Sequence, residues 1–427
     1  MKNHEECMAK IVRSVKGTRD YYPEEMAKRQ WIYRCLKTVS ESFGYLHYDG
    51  PCLETLELYA AKSGEELVKE QSFVFNDRGG DQITLRPELT PSLARMIAEK
   101  QNELVFPARW WSYGPFWRYE RPQRGRTREF YQWNIDLIGS GGVEADAELV
   151  AVACSFMRSV GLSPEQVKLR YNDRQLMDQA FSDLGVDPAS KSGLLKLVDR
   201  IDKMPAEVWD EKALGLGLSL NQLIALKQLL ADVNLWQRSE KLVKFVNLMT
   251  EMGQAEYLEY DPRIIRGLDY YTGIVFEAHD KNREFRAILG GGHYGNLVGD
   301  VGGDPLPGVG FAMGDMVVQL VLEHFGLIPD LNIEAETIFV SVFDPKTQAE
   351  SLRIAAELRA AGFKVVTALG NDKLGKQLKF ADRILASKAL VIGPDELAKG
   401  EVVVKDLRTH GQTNLPTTQL VSFLRNA

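Results

Sequence analysis

Eleven consecutive residues, Arg118 to Arg128 (RYERPQRGRTR), carry five arginines and one acid in a chain whose formal net charge is -7. A guanidinium stays charged and matches phosphate oxygens two at a time, so this density of arginine suits a polyphosphate or a nucleic-acid backbone. The same run also suits a solvated basic turn. Its flanks weigh against that, because the arginines interrupt two apolar, strand-like segments, WWSYGPFW (110–117) and EFYQWNID (129–136). Two strands joined in this way predict a hairpin whose tip lines a site.

Three further segments hold side chains able to do chemistry. LRPEL (85–89) sets Glu88 beside Pro87 at a strand end with Thr90 following, which makes either a surface turn or a clamp for an ammonium group. RGLDYYTGIVFE (266–277) puts an arginine, an aspartate and two tyrosines ahead of an apolar strand. It reads as core with satisfied hydroxyls, or as a ligand pocket with a fixed positive charge. GGGHYG (290–295) meets the G-x-G-x-x-G spacing after FRAIL. A dinucleotide site also needs a helix opening at once and an acid about 20 residues on. The next segment, NLVGDVGGDPLPGVG, is too rich in Gly and Pro for that helix. Close backbone approach, to a ligand or within a packed strand, is the other use of such glycines. No phosphate-binding G-x-x-x-x-G-K-[ST] run and no Ser/His/Asp arrangement is legible.

The elements that must position these groups fall into two patterns. Residues 24–43 show helical periodicity, with Gly44 placed to stop the helix. GYLHYDGPCLE then reads as one strand carrying Pro51. Short strands come next at 72–77 and 81–89 with Gly79-Gly80 between them, then the arginine hairpin, then an amphipathic helix from Ala145 to Val160. Strands return at 258–278 and 283–289 before a helix from Asp315 to Phe325. A largely antiparallel sheet with helices on one side is α+β. Residues 171–255 are almost wholly helical and read as an insertion in a core spanning 1–325. A linker at 326–336 leads to strands alternating with helices over 337–427, a small α/β domain.

Composition narrows the class. Hydrophobic residues at 44% and charged residues at 26% are ordinary for a globular chain, and 427 residues allow two to four domains. The acidic balance argues against a generic nucleic-acid binder, so any such partner is held by local patches. No apolar run approaches a membrane span, and MKNHEECMAK shows no secretion signal. Four scattered cysteines and six scattered histidines fit reduced thiols in a cytoplasm and no metal cluster.

Taken in order, these pieces resemble the histidyl-tRNA synthetases, a family of class II aminoacyl-tRNA synthetases, essentially from end to end. KGTRDYYPEE (16–25) resembles the N-terminal signature. The helix to GYLHYDGPCLE resembles motif 1, which implies a homodimer. FWRYERPQRGRTREFYQ resembles motif 2 with its ATP-binding loop. RGLDYYTGIVFE and GGGHYGNLV resemble the two segments that set the histidine enzyme apart. The stretch from LGKQLKFADRILA to EVVVKDL resembles an anticodon-binding domain.

The resemblance implies roles. Glu88, Thr90 and Gln132 would hold the α-amino group of L-histidine, Asp136 and Tyr271 would read its imidazole, and Tyr294 would line the same pocket. Arg118 would bridge the amino-acid carboxylate and the α-phosphate of ATP. Glu120 and Phe130 would receive the adenine, Arg126 the β- and γ-phosphates, and Arg266 the α-phosphate. Arg118 and Arg266 would thus be the catalytic residues. ATP enters as a substrate with Mg2+, histidine tRNA is the macromolecular partner, and no tightly bound cofactor is implied.

The chain departs from the family in three places. His293 and Gly295 stand where the family has Arg and Asp around its tyrosine, and GFAMGDMVV puts Met316 and Val317 where motif 3 ends in Glu-Arg. The missing motif 3 arginine leaves Arg121, Arg124 and Arg128 as candidate substitutes. It also leaves open a non-catalytic relative, such as the regulatory subunit of ATP phosphoribosyltransferase, which lacks the anticodon-binding domain. A synthetase for proline, threonine or glycine is a further alternative, disfavoured by RGLDYYTG.

Overall fold

The computed structural model describes residues 12–60, 71–265, 271–331, 336–370 and 372–426. The chain forms two compact units, Met1–Pro329 and Asp330–Ala427. In the first, α1 (Pro23–Ser42) is entered through a proline in its first turn and left at Gly44, whose φ of 78° only glycine adopts freely. GYLHYDGPCLE does not stay one strand. It splits at Asp49–Pro51 into β1 (Leu46–His47) and β2 (Leu53–Thr55), which join different sheets. Pro51 has no N–H to give to a ladder, so the break falls there.

The helix α2 (Leu56–Ala60) and the hairpin β3 (Phe73–Asn76) and β4 (Gln82–Leu85) complete a small sheet in the order β2-β4-β3. After α3 (Thr90–Lys100) come the long hairpin strands β5 (Ala108–Trp117) and β6 (Glu129–Ile138), paired from Ala108↔Ile138 to Trp117↔Glu129. Next are α4 (Val143–Ser159) and β7 (Val167–Asp173). Residues 171–173 therefore finish a sheet strand, and the helical stretch begins only with α5 (Arg174–Asp183). It continues through α6 (Pro188–Val198), α7 (Ala206–Gly215), α8 (Leu220–Ala231) and α9 (Glu240–Glu251).

The chain returns to the sheet as β8 (Leu258–Tyr260), β9 (Tyr271–Asp280), β10 (Leu289–Tyr294) and β11 (Gly308–Gly314), then leaves in α10 (Asp315–His324). The eight-stranded sheet runs β1-β5-β6-β11-β10-β9-β7-β8, antiparallel except at its two edge pairs. Residues 283–288 are not the strand that their sequence predicts. They form a loop, and pairing starts at Leu289. GGGHY is itself a strand. A Cβ on Gly291 would strike the Gly310 carbonyl, and one on Gly292 would lie 2.9 Å from both Tyr271 and Val275. These glycines serve close packing within a sheet, not a dinucleotide turn.

Period-two alternation along β6 divides the domain. Trp133, Ile135 and Leu137 turn into a core shared with Ile32 and Leu36 of α1 and Leu149 and Phe156 of α4. Phe130, Gln132, Asn134 and Asp136 turn the other way, into a cleft. The helices α1 and α4 thus cover one face of the sheet, while the other is shared between α3, which packs on Ile138, Val275, Tyr271 and Tyr294, and the cleft.

The second unit is a five-stranded sheet, β13-β12-β14-β15-β16, built from β12 (Thr337–Val340), β13 (Lys364–Thr367), β14 (Lys388–Val391), β15 (Glu401–Asp406) and β16 (Gln412–Pro416). The first three strands are parallel and the last two antiparallel. Four helices accompany them: α11 (Gln348–Ala360), α12 (Leu374–Arg383), α13 (Pro394–Lys399) and α14 (Leu420–Asn426). Ile338, Val340 and Leu390 meet Ile354 and Leu358 of α11 on one face, while Phe339 and Ala389 meet Ala381 of α12 on the other. Both faces are covered, as a parallel sheet requires.

Candidate active site

The cleft encloses about 1480 Å³ and is lined by ten of the eleven residues picked out from the sequence: Glu88, Thr90, Arg118, Glu120, Arg126, Phe130, Gln132, Asp136, Tyr271 and Tyr294. The eleventh, Arg266, lies outside the described residues, as does the rest of RGLDY. Residues more than 200 apart in sequence converge because β6, β11, β10 and β9 are neighbours in the sheet.

At the closed end, Asp136 on β6 is 5% exposed and accepts a hydrogen bond of 2.9 Å from the Tyr294 hydroxyl on β10. One strand, β11, lies between them. Asp136 is opposite Gly310, and Tyr294 is opposite Gly308. A Cβ on Gly310 would collide with the Asp136 carboxylate, and one on Gly308 would lie 2.5 Å from the Tyr294 ring. Only bare backbone in β11 leaves room for this contact. Burial raises the Asp136 carboxyl to about 7, and the Tyr294 hydrogen bond offsets part of that rise. Tyr271 stands beside Gly292 and is also buried. The result is a small pocket whose polar atoms suit a flat ring bearing N–H groups.

The open end belongs to the hairpin. Gln123 and Arg126 exchange backbone hydrogen bonds of 3.0 and 2.8 Å, and Gly125 takes φ 75° at the third position of the turn, as a type II turn demands. The Arg118 Nε donates to the Pro87 carbonyl at 2.9 Å, and its guanidinium lies 5.5 Å from the centre of the Phe130 ring. This ties the hairpin to the Glu88 loop. Arg126 is ion-paired with the buried Glu120. The N-terminal signature braces the hairpin from behind, since Gly17 accepts the Arg128 N–H at 2.7 Å and packs against the Arg128 stem. Arg86, wholly buried, donates to Pro115, Asp49 and Gly50 and so anchors β5.

The departures have separate fates. His293 points away from Tyr294 and bonds Asp146 of α4 at 3.0 Å, so it belongs to the buried helix side of the sheet. Val317 lines the cleft, leaving no guanidinium at its position. None of the three candidate substitutes lines the cleft. Arg124 sits over Phe285 at 5.2 Å and Arg128 over Tyr119 at 4.1 Å, while Arg121 is exposed. The sequence reading missed Arg286, which does line the cleft, along with Lys196, Arg200 and Lys203 at the end of α6 and beyond. A lone arginine in the apolar run FRAIL was the available signal for Arg286.

An antiparallel sheet with an arginine-tipped hairpin and a polar pocket on its open face is the architecture of the class II aminoacyl-tRNA synthetases. The sequence profile of the histidyl-tRNA synthetases matches residues 17–316, and an anticodon-binding domain profile matches 337–427. The chain is 37% identical to the histidine–tRNA ligase of Opitutus terrae, over 97% of this chain and 98% of that one. It is 36% identical to the chloroplastic and mitochondrial histidine–tRNA ligase of Arabidopsis thaliana, covering 95% and 85%. Crystallographic histidyl-tRNA synthetase from a Nostoc species shares the fold, with a TM-score of 0.81 at 23% identity over 98% of this chain and 100% of that one. This chain belongs to the histidyl-tRNA synthetase family. Matches of this extent favour the enzyme over the non-catalytic relative weighed from the sequence.

The Asp136 environment makes a stability prediction. The carboxyl holds its proton up to about 7 when folded, against 3.8 ordinarily, so its contribution is full below pH 3.8 and is lost as pH rises through 7. Asp136→Asn should therefore lose less stability than the parent between pH 5 and 8, measured by denaturant melts. Parallel pH profiles for the two proteins would contradict it.

Proposed function

We propose that this protein is a histidine–tRNA ligase that activates L-histidine with ATP and transfers it to the terminal adenosine of histidine tRNA. The observation that carries the reading is the joining, in one cleft, of the buried Asp136–Tyr294 pair to the arginine hairpin. Asp136 and Tyr271 take the imidazole, with Tyr294 holding the Asp136 carboxylate in place. Specificity arises because a ring lacking the N–H groups leaves buried polar atoms unpaired. Glu88, Thr90 and Gln132 hold the α-ammonium group.

Arg118 lies between the amino-acid and nucleotide ends and bridges the carboxylate to the α-phosphate. Adenine stacks on Phe130 and bonds Glu120, while Arg126 exchanges Glu120 for the β- and γ-phosphates. The histidine carboxylate attacks the α-phosphorus in line, forming a new P–O bond as pyrophosphate leaves. Arg118 and Arg266 stabilise charge on the α-phosphate oxygens. A ribose hydroxyl of the tRNA then attacks the adenylate carbonyl, and AMP departs. Neither step needs a side-chain nucleophile, only placement and charge. Mg2+ accompanies ATP as its counter-ion. Among the described residues no cluster of His, Cys, Asp or Glu would hold a metal by itself.

In this reading residues 1–325 do the chemistry, 326–336 link the domains and 337–427 bind the anticodon. Lys376, Lys379 and Arg383 are exposed along α12, with Lys373 just before it, beside the half-exposed Phe380. Basic groups beside an aromatic ring suit a single-stranded backbone and its bases. A homodimer through motif 1 is supported by the edge position of β1 and by Leu46, which is 68% exposed. A cytoplasmic location accords with free Cys35, Cys52 and Cys154. No helix among the described residues is long and apolar enough to cross a membrane.

Two experiments test this. Arg266→Ala should lower histidine-dependent pyrophosphate exchange about 10²–10³-fold with little change in substrate binding. A near-normal rate would remove Arg266 from the mechanism. Truncation near Ala335 should leave part of the exchange activity but greatly reduce charging of histidine tRNA. Undiminished charging by a truncated protein of unchanged oligomeric state would refute the role given to 337–427.

A further inference from the structure

We propose that Arg286 supplies the guanidinium that Val317 withholds, binding the β- and γ-phosphates of ATP beside Arg126. The proposal rests on reading the cleft as an ATP site. Arg286 lies in the loop between β9 and β10 and lines the cleft. A Cβ placed on Gly125, at the tip of the hairpin, would lie 3.5 Å from Val317 Cγ2 and 3.9 Å from Arg286 Cδ. The Arg286 stem therefore runs past the position where motif 3 carries no arginine here, on the same side of the hairpin turn.

Arg118, Arg126 and Arg286 share this end of the cleft with Glu120, which is already paired with Arg126. Arg286 is exposed, and among the described residues it has no hydrogen bond or ion pair. Its guanidinium pKa is lowered by partial burial and by the charge of Arg126, with Glu120 opposing and Arg118 adding to the effect. Cations gathered against their own repulsion are relieved by a polyanion, and paired guanidiniums match phosphate oxygens. A structural role would bury or pair the side chain, as happens at Arg86 and Arg29.

The test is calorimetric titration of the full chain with ATP, pyrophosphate and AMP, without histidine or tRNA. Arg286→Ala should weaken ATP and pyrophosphate roughly 10–100-fold, the loss of a charged hydrogen-bonded contact, and leave AMP nearly unchanged. Arg286→Lys should fall between, and provides the answer if the alanine variant does not fold. Arg121→Ala, exposed and off the cleft, should bind all three as the parent does. Unchanged ATP affinity in a folded Arg286 variant would overturn the proposal, as would equal losses for ATP and AMP. A parent protein that binds no ATP would sink the cleft reading, and this proposal with it.

Discussion

The pocket depends on a strand, β11, that carries no side chain at Gly308 and Gly310. Asp136 and Tyr294 sit on β6 and β10 with β11 between them, and ordinary residues on β11 would fill the space in which they meet. Gly308 and Gly310 keep that space open, and Gly291 and Gly292 let β10 lie close to β11 and β9. Glycine weakens a strand through backbone entropy and lost side-chain packing. The sheet offsets this on its other face, where Trp133, Ile135 and Leu137 are wholly buried against α1 and α4. One side of the sheet is core throughout, and the other is divided between apolar packing under α3 and the polar cleft.

The same division explains the hairpin. Its strands are fixed by a full ladder of pairs and by aromatic neighbours such as Phe116 and Phe130, so the arginines need no core of their own. They are positioned instead from the side. Pro87 takes Arg118, Glu120 takes Arg126, and Gly17 takes the Arg128 backbone. A guanidinium held in this way loses little freedom on meeting an anionic partner.

Much of this is legible in the sequence because strands and helices write different periods. The alternation in EFYQWNID by itself separates Trp133 and Ile135 from Gln132, Asn134 and Asp136, and the arginine run marks the hairpin tip. The illegible part depends on register between distant strands. Nothing in the sequence says that His293 finds Asp146, or that Arg86 rather than a neighbour becomes the buried anchor of β5. Arg286 is hidden when 283–289 is read as a strand. Inside a sheet ladder it would be one more strand residue, whereas in the loop that actually forms it lines the cleft. GYLHYDGPCLE breaks for a local reason, the missing N–H of Pro51.

In the function proposed, one cleft holds the imidazole at its closed end and the phosphates at its arginine end. A crystal structure with a non-hydrolysable histidyl-adenylate analogue tests it most directly. The ring is expected within hydrogen-bond distance of Asp136 and beside Tyr271, the α-amino group at Glu88 and Gln132, the phosphate mimic on Arg118, and adenine over Phe130. An analogue bound with its ring away from Asp136, or with its phosphate mimic out of reach of Arg118, would contradict it.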